Sequence, residues 1–153
     1  MLGPVLHVDA RPAGESVHLP DNAPWPARPE LVGLVCATRI VASVRLDSDG
    51  PGECLHFLDA HNTPIASLWL LPDSDFLAWE TLVERLPAMQ VPGLAWQCGQ
   101  CHASRGWARV RRFERIRVVG GELLDAAAPG RLSAIGQARA RQLAQATGAS
   151  LLP

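Results

Sequence analysis

Short apolar runs bounded by turn sequences fill the first half of the chain, and they constrain the fold more than any other feature. The runs are rich in β-branched residues, and the connections Asp47–Gly52 and Asp59–Pro64 hold the Asp, Asn, Gly and Pro residues typical of turns. Asn62 suits the left-handed conformation that a hairpin connection often needs. We predict strands at Val5–Val8, Ser16–Leu19, Leu31–Ala37, Ile40–Leu46, Cys54–Leu58 and Ile65–Leu71.

The segment 74–86 has the spacing of an amphipathic helix. Its apolar residues recur at intervals of three or four and would form one stripe; they are Phe76, Trp79, Val83 and Leu86. One of the residues Asp73, Ser74 and Asp75 can cap the helix at its start, and Pro87 would end it. The sequence therefore predicts one well-defined helix directly after the β-rich first half.

The second half adds a long strand at 107–119, a connection at 121–130 and a weakly amphipathic helix at 131–147. Strands and helices do not alternate regularly along the chain, which argues against a doubly wound parallel sheet. We predict an α+β fold with an antiparallel β-sheet and one or two flanking helices. A length of 153 residues favours a single domain, residues 1–153.

Composition narrows the class of protein further. Hydrophobic residues make up 48% of the chain and charged residues 19%, which argues against disorder as the overall state. No apolar run reaches the ~18 residues that a membrane helix needs, and the first residues lack the basic start and apolar core of an export signal. The lack of such a run predicts no membrane partner. Only four cysteines are present, so we expect a reducing, cytoplasmic location.

The short motif Cys98-Gly-Gln-Cys101-His102 is the most specific candidate for metal chemistry. The pattern Cys-x-x-Cys-His is the attachment site of c-type haem, but that chemistry normally takes place outside the cytoplasm and in helical domains. The same three side chains could bind zinc, although a structural zinc site usually has four ligands. A redox dithiol and a pair of thiols without a ligand remain open alternatives.

Arginines are concentrated late in the chain. Residues 1–85 hold five Arg and twelve Asp or Glu, whereas residues 86–153 hold nine Arg and three Asp or Glu. On the predicted strand, four of these share one face with Phe113; they are Arg109, Arg111, Arg115 and Arg117. Such a stripe could bind nucleic acid, bind the propionates of a tetrapyrrole or pair with the acidic first half. The overall pI of about 6.5 disfavours nucleic acid as the partner.

No pattern of a known catalytic centre is evident. The chain has no nucleophile elbow and no Gly-rich phosphate loop followed by a helix. The paired carboxylates Asp73 and Asp75 fit helix capping better than acid–base chemistry. We therefore assign no catalytic residue, and a non-enzymatic function is favoured.

The stretch Leu55–Glu84, which reads LHFLDAHNTPIASLWLLPDSDFLAWETLVE, resembles the hemin transport and hemin-degrading proteins of bacterial haem utilisation. Those proteins carry a strand ending Phe-Phe-Asp-Ala-x-Gly, a second strand, then Ser-Asp and a helix rich in Ala, Leu and aromatic residues. Upstream, Leu2–Leu6 and the strand at Glu30–Val35 are similar to the same family, and the likeness covers roughly residues 2–86. Here Ala66–Trp69 stands where the family usually has His-Lys and Val-Tyr.

The resemblance implies a haem-utilisation-like fold in its single-repeat form and a haem-binding or haem-trafficking function. His18 falls near the family's iron-ligating histidine, and the arginine stripe would then bind the propionates. Short members of the family pair as homodimers, so a homodimer is expected. The alternatives are a zinc-binding or interaction module built on Cys98, Cys101 and His102, and a relative that kept the fold but lost the haem ligand.

Overall fold

The computed structural model of the chain describes residues 2–11, 24–47, 50–86, 106–119 and 121–153. In these ranges, eight strands form one sheet in the order β2-β7-β6-β1-β5-β4-β3, and β8 pairs with β6 beside this path. The strands are Pro4–Asp9 (β1), Trp25–Pro26 (β2), Arg39–Asp47 (β3), Gly50–Leu58 (β4), Pro64–Leu70 (β5), Trp107–Val118 (β6), Gly121–Ala127 (β7) and Ser150–Leu151 (β8). The helices are Val32–Val35 (α1), Phe76–Glu84 (α2) and Ala134–Ala146 (α3), and a 3₁₀ turn at Pro29–Leu31 precedes α1.

The first strand lies in the middle of the sheet. It pairs antiparallel with β5 on one side and with β6 on the other, so that His7 lies opposite both Leu68 and Arg109. The β3–β4, β4–β5 and β6–β7 pairs are antiparallel as well, while the short β2 and β8 pair in parallel with β7 and β6. The predicted antiparallel sheet with flanking helices is therefore confirmed.

The turn between β4 and β5 has the predicted local chemistry. Asn62 adopts a φ of 61°, the left-handed conformation that its short amide side chain tolerates. The Asp59 carboxylate accepts hydrogen bonds from the backbone N–H groups of His61 and Thr63, each at 2.8 Å. These bonds satisfy the turn's own backbone donors and hold the two strands in register.

The sheet has two faces, which we call the α2 face and the α3 face after the helices that cover them. On the α3 face, Leu6 and Val8 of β1 pack with Ala140, Leu143 and Ala144 of α3. On the α2 face, Val5 and residues from β4 and β5 pack against Trp79 of α2. Alternate residues of β1 therefore contribute to two separate apolar clusters.

Helix α2 is held at its start and its middle. The Asp75 carboxylate accepts a hydrogen bond from the Ala78 N–H at 3.0 Å, which confirms a cap among the predicted residues. The buried Trp79 donates its indole N–H to Glu53 at 2.8 Å. The helix continues to Glu84, where Arg85 forms the C-cap.

The start of α3 is fixed to the turn that leads into α2. Ser133 caps α3 by accepting from the Gly136 N–H, and Asp73 accepts hydrogen bonds from both the backbone N–H and the hydroxyl of Ser133 at 2.9 Å. A Cβ atom at Gly136 would collide with the Asp73 carboxylate, so glycine allows this close approach. Asp73 therefore connects the start of α3 to the turn before α2, although the two helices lie on opposite faces of the sheet.

Two predictions of secondary structure are wrong. The predicted strand Leu31–Ala37 is helical, because Pro29 opens a 3₁₀ turn and Leu31 and Val35 then point together into the core. The predicted connection 121–130 contains strand β7, whose weak strand propensity is outweighed by seven pairings with β6. A short apolar run does not distinguish helix from strand, and the pattern at 121–127 is too mixed to show one.

The outermost strand β3 leaves an edge that no described strand pairs with. Val44 and Leu46 are exposed on it, with 65% and 80% of their surface accessible. An apolar edge of this kind is suited to pairing with a second copy, and the homodimer stays a prediction. Within the described ranges, none of the helices is both long and apolar enough to cross a membrane.

Candidate functional site

A large apolar cavity lies on the α2 face, between the sheet and helices α1 and α2. Its volume is about 910 Å³, towards the upper end of the range of about 300–1,000 Å³ found for small-molecule sites. The wall on the sheet side comes from four strands, through Ile40, Leu55, Phe57, Leu68 and Phe113. We refer to this space as the apolar cavity.

Helices α1 and α2 supply the opposite wall. Leu34 and Val35 belong to α1, which has only four residues, and Leu82 belongs to the last turn of α2, followed by Leu86. Trp79 is fully packed on the sheet, whereas Leu82 and Leu86 are only partly buried. The open space therefore lies beside the C-terminal end of α2, where the covering layer is thinnest.

Few charged groups line this cavity. Arg85 follows α2, and Glu114 and Arg115 come from β6. Arg115 lies 3.5 Å from Glu122, with 73% and 44% of the two side chains exposed, so this ion pair contributes little and can exchange for a ligand. The cavity thus combines an apolar interior with two guanidinium groups that can bind an anion.

A buried polar group lies beside the same sheet wall. His7 is fully buried and sits opposite Leu68 in the strand register, with its ring edge-to-face against Trp107 and Phe113 at 5.2 and 5.8 Å. Neither ring nitrogen has a hydrogen-bond partner in the described part of the chain. Burial, together with the charges of Arg111 and Arg11, lowers the pKa of His7 to about 3, so the imidazole is neutral at physiological pH.

A partly buried ion pair joins the acidic and basic halves next to His7. Arg111 donates to Glu30 at 2.8 Å, and its guanidinium lies 5.6 Å from the centre of the Trp107 ring. Desolvation opposes ionisation of Glu30, but hydrogen bonds from its own backbone and from Arg111 lower its pKa overall. Arg28 and Asp125 form a second, exposed pair between the halves at 3.0 Å.

The predicted arginine stripe exists as one face of β6, but its members do not meet at one place. Arg109 and Arg117 are eight positions apart, which is roughly 26 Å along a strand. Arg115 lines the apolar cavity, whereas Arg109 and Arg111 line a second cavity between β6, the end of β7 and α3. Arg117 lines neither of these cavities. A single haem could therefore contact only part of the stripe.

The other predicted ligands fall outside the described residues. These are His18, the predicted iron ligand, and Cys98, Cys101 and His102, the predicted zinc ligands. Within the described residues, no group of three or more His, Cys, Asp or Glu side chains could hold a metal ion. The zinc hypothesis and the role of His18 stay predictions.

The α3 face holds a Cys–His–Ser arrangement that the sequence analysis did not single out. His56 Nε2 lies 2.9 Å from Ser43 Oγ, and Cys54 Sγ lies 3.7 Å from His56 Nδ1. Burial lowers the pKa of His56 to about 4. Cys54 is only 1% exposed, so the thiol is closed to substrates, and the arrangement stabilises the interior of the sheet.

Comparison with protein-family models, with curated proteins and with solved structures gives no match. The site is therefore characterised by its own geometry. Sequence reasoning identified Arg115 but missed most of the wall, because the described lining residues come from seven helices and strands that are distant in sequence. Leu86 belongs to the predicted helix stripe and was the one apolar lining residue with such a signal, whereas Leu82 lies outside that stripe.

Proposed function

We propose that this protein reversibly binds a haem-type tetrapyrrole in the apolar cavity and acts as a carrier rather than an enzyme. The observation that supports the proposal is the combination of a cavity of about 910 Å³, apolar walls and two arginines. A tetrapyrrole is a flat apolar ring with carboxylate side chains, and its two parts match these two kinds of lining. The proposal also agrees with the resemblance of residues 2–86 to haem-utilisation proteins.

The macrocycle would lie between the sheet and the helices. Leu55, Leu68 and Phe113 offer a broad apolar surface from the sheet, and Leu34 and Leu82 would cover the opposite side of the ring. Burial of apolar surface contributes roughly 25 cal/mol per Å², so a ring of this size would gain most of its binding free energy here. The aromatic side chain of Phe113 adds a face or an edge for contact with the ring.

Arg115 and Arg85 would bind the propionates. A guanidinium forms bidentate, charge-assisted hydrogen bonds with a carboxylate, and both side chains lie at the cavity. Arg115 must exchange its exposed contact with Glu122, which costs little. Arg111 is held by Glu30 and does not line this cavity, so it would support the sheet wall rather than contact the ligand.

Iron ligation is separate from binding of the ring. When bound, haem supplies a redox-active iron, but no His, Cys, Met or Tyr is among the described residues that line the cavity. The described residues fit the macrocycle and the propionates only. His18 is the ligand that the family resemblance predicts, and a comparison of haem with the metal-free ring isolates its role.

The test is a titration of the full chain with haem and with metal-free protoporphyrin, followed by absorbance and fluorescence. We expect both to bind with micromolar dissociation constants, about 8 kcal/mol of binding free energy. Leu82→Trp would fill part of the cavity and weaken both ligands at least about tenfold, with retained helix content as the check on folding. Arg115→Gln would weaken both about threefold or more, and Arg117→Gln, on the same strand face, is the matched control.

His18→Ala should weaken haem and leave protoporphyrin unchanged. If His18→Ala binds haem as tightly as the native chain does, His18 is not the iron ligand. That result would leave the cavity assignment intact. The absence of binding by either ring, or binding that Leu82→Trp does not alter, would overturn the proposed function.

A further inference from the structure

The second cavity lies where the pairing along one edge of β6 is interrupted. On this edge, β8 pairs with Trp107 and Ala108, and β7 pairs with β6 from Arg112 onwards. None of the described strands pairs with residues 109–111 on that side. The gap forms a cleft of about 550 Å³ between the end of β7, the start of α3 and the last residues of the chain. We call it the arginine cleft.

Of the described residues, five arginines and no Asp or Glu side chain line the arginine cleft; the arginines are Arg28, Arg109, Arg111, Arg131 and Arg141. Arg28 and Arg111 are neutralised by Asp125 and Glu30. The ion pairs of the described residues include none of the other three. The side chains that line the cleft, taken with these two carboxylates, therefore carry an excess of about three positive charges at neutral pH, because arginine stays protonated.

Two of the guanidinium groups carry N–H donors that are shielded from water and unused. Arg109 Nε and Arg111 Nε are buried and have no hydrogen-bond partner among the described residues. Buried donors without partners destabilise a protein, and a bound acceptor would remove that cost. Their presence beside the unpaired charges is a second, independent indication of an anionic ligand.

We propose that the arginine cleft binds a small phosphorylated organic molecule. A phosphate monoester carries nearly two negative charges at neutral pH and several acceptor oxygens, which suits guanidinium forks better than a single carboxylate does. The cleft is much larger than one phosphate group, and apart from Gln137 the remaining side chains of its wall are apolar, among them Leu132, Leu151 and Leu152. This apolar wall calls for an organic part attached to the phosphate.

The site is independent of the tetrapyrrole proposal. None of the lining residues is shared between the arginine cleft and the apolar cavity. Arg131 and Arg141 are exposed and come from the segment before α3 and from α3 itself, so they can be replaced with little effect on the core. Arg112, exposed on β6 and outside both linings, provides a control for the loss of one positive charge.

The experiment is calorimetric titration of the full chain with phenyl phosphate, inorganic phosphate and phenol in a phosphate-free buffer. We expect phenyl phosphate to bind with a dissociation constant below about 1 mM, at least about fivefold tighter than inorganic phosphate, and phenol not to bind. Arg131→Gln and Arg141→Gln should each weaken phenyl phosphate about tenfold, with Arg112→Gln within about twofold of the native chain. Bound phenyl phosphate should leave the affinity for protoporphyrin unchanged.

Three results would overturn the assignment. The first is no heat from phenyl phosphate at millimolar concentration. The second is a loss of affinity for phenyl phosphate in Arg112→Gln as large as in Arg131→Gln and Arg141→Gln. That would indicate a general effect of net charge rather than a site. The third is binding of a single-stranded oligonucleotide together with failure of phenyl phosphate, which would identify the surface as one for nucleic acid instead.

Discussion

The two faces of the sheet are covered by helices in different ways. On the α3 face, the small side chains of Ala140 and Ala144 let the helix approach closely, and Leu143 fills the space between them at 2% exposure. On the α2 face, a single tryptophan anchors α2 while the end of the helix leaves the apolar cavity beside it. The comparison shows that the two helices cover the sheet to different extents, because α3 buries Ala140, Leu143 and Ala144, whereas Trp79 is the one buried residue of α2.

The sharpest test of this comparison is truncation of one leucine on each helix. Leu143→Ala should lower the free energy of unfolding by about 3 kcal/mol, because it opens a new cavity in a closely packed layer. Leu82→Ala removes the same atoms beside existing space and should cost only about 1 kcal/mol. Urea denaturation of both variants measures the difference, and equal losses would contradict the asymmetry.

The second prediction concerns the ion pair that supports the wall of the α2 face. Glu30→Gln leaves the nearly buried Arg111 without a counter-charge and should cost about 2 kcal/mol, less than for a fully buried pair because the Glu30 side chain is 24% exposed. The control is Asp125→Asn, which breaks the exposed pair with Arg28 and should cost less than about 0.5 kcal/mol.

Adding Arg111→Met to Glu30→Gln should restore part of the lost stability, because the uncompensated charge is then gone. Chemical denaturation of the single and double variants checks this order. A double variant that is less stable than Glu30→Gln alone would show that Arg111 acts mainly through packing on Trp107.

Acid should lower the free energy of unfolding through two buried histidines, one on each face of the sheet. The folded pKa values of about 3 for His7 and about 4 for His56 lie below the ordinary 6.5, so the unfolded chain binds protons that the folded chain does not. Stability is therefore lost as the pH falls below 6.5, by up to about 1.4 kcal/mol per pH unit for each histidine.

Denaturation of the native chain, His7→Gln and His56→Gln between pH 7 and 5 separates the two contributions, since most carboxylates stay ionised there. Each variant should show a shallower pH dependence than the native chain. Unchanged slopes in both variants would mean that neither histidine is kept neutral by burial.

Local features of the fold could be predicted from the sequence, whereas the cavities could not. Alternation and spacing located β5 and α2, and the turn at Asn62 and the cap at Asp75 follow from side-chain chemistry that acts within a few residues. The helix at Val32–Val35 was missed because its helical form depends on packing against a sheet formed elsewhere in the chain.

The same limit applies to the sites. Arg115 was predicted from its place in the stripe, but nothing in the spacing shows that Arg109 faces a different cavity from Arg115 on the same strand. Arg131 and Arg141 come together with Arg109 only because α3 folds back to the break in pairing along β6. An excess of arginine over acidic residues after position 86 was the only sequence signal of unpaired charge.

The central position of β1 has a consequence for synthesis of the chain on the ribosome. Val5 is made well before Arg111, one of its two strand partners, whose synthesis follows by roughly 5–20 s at about 5–20 residues per second. During that interval β1 gains β5, one of its two described partners, only after residue 70 has been added, and its other edge stays open until β6 is made. We expect the growing chain to depend on chaperones until β6 leaves the ribosomal tunnel, and truncated chains that end before Gly106 to aggregate.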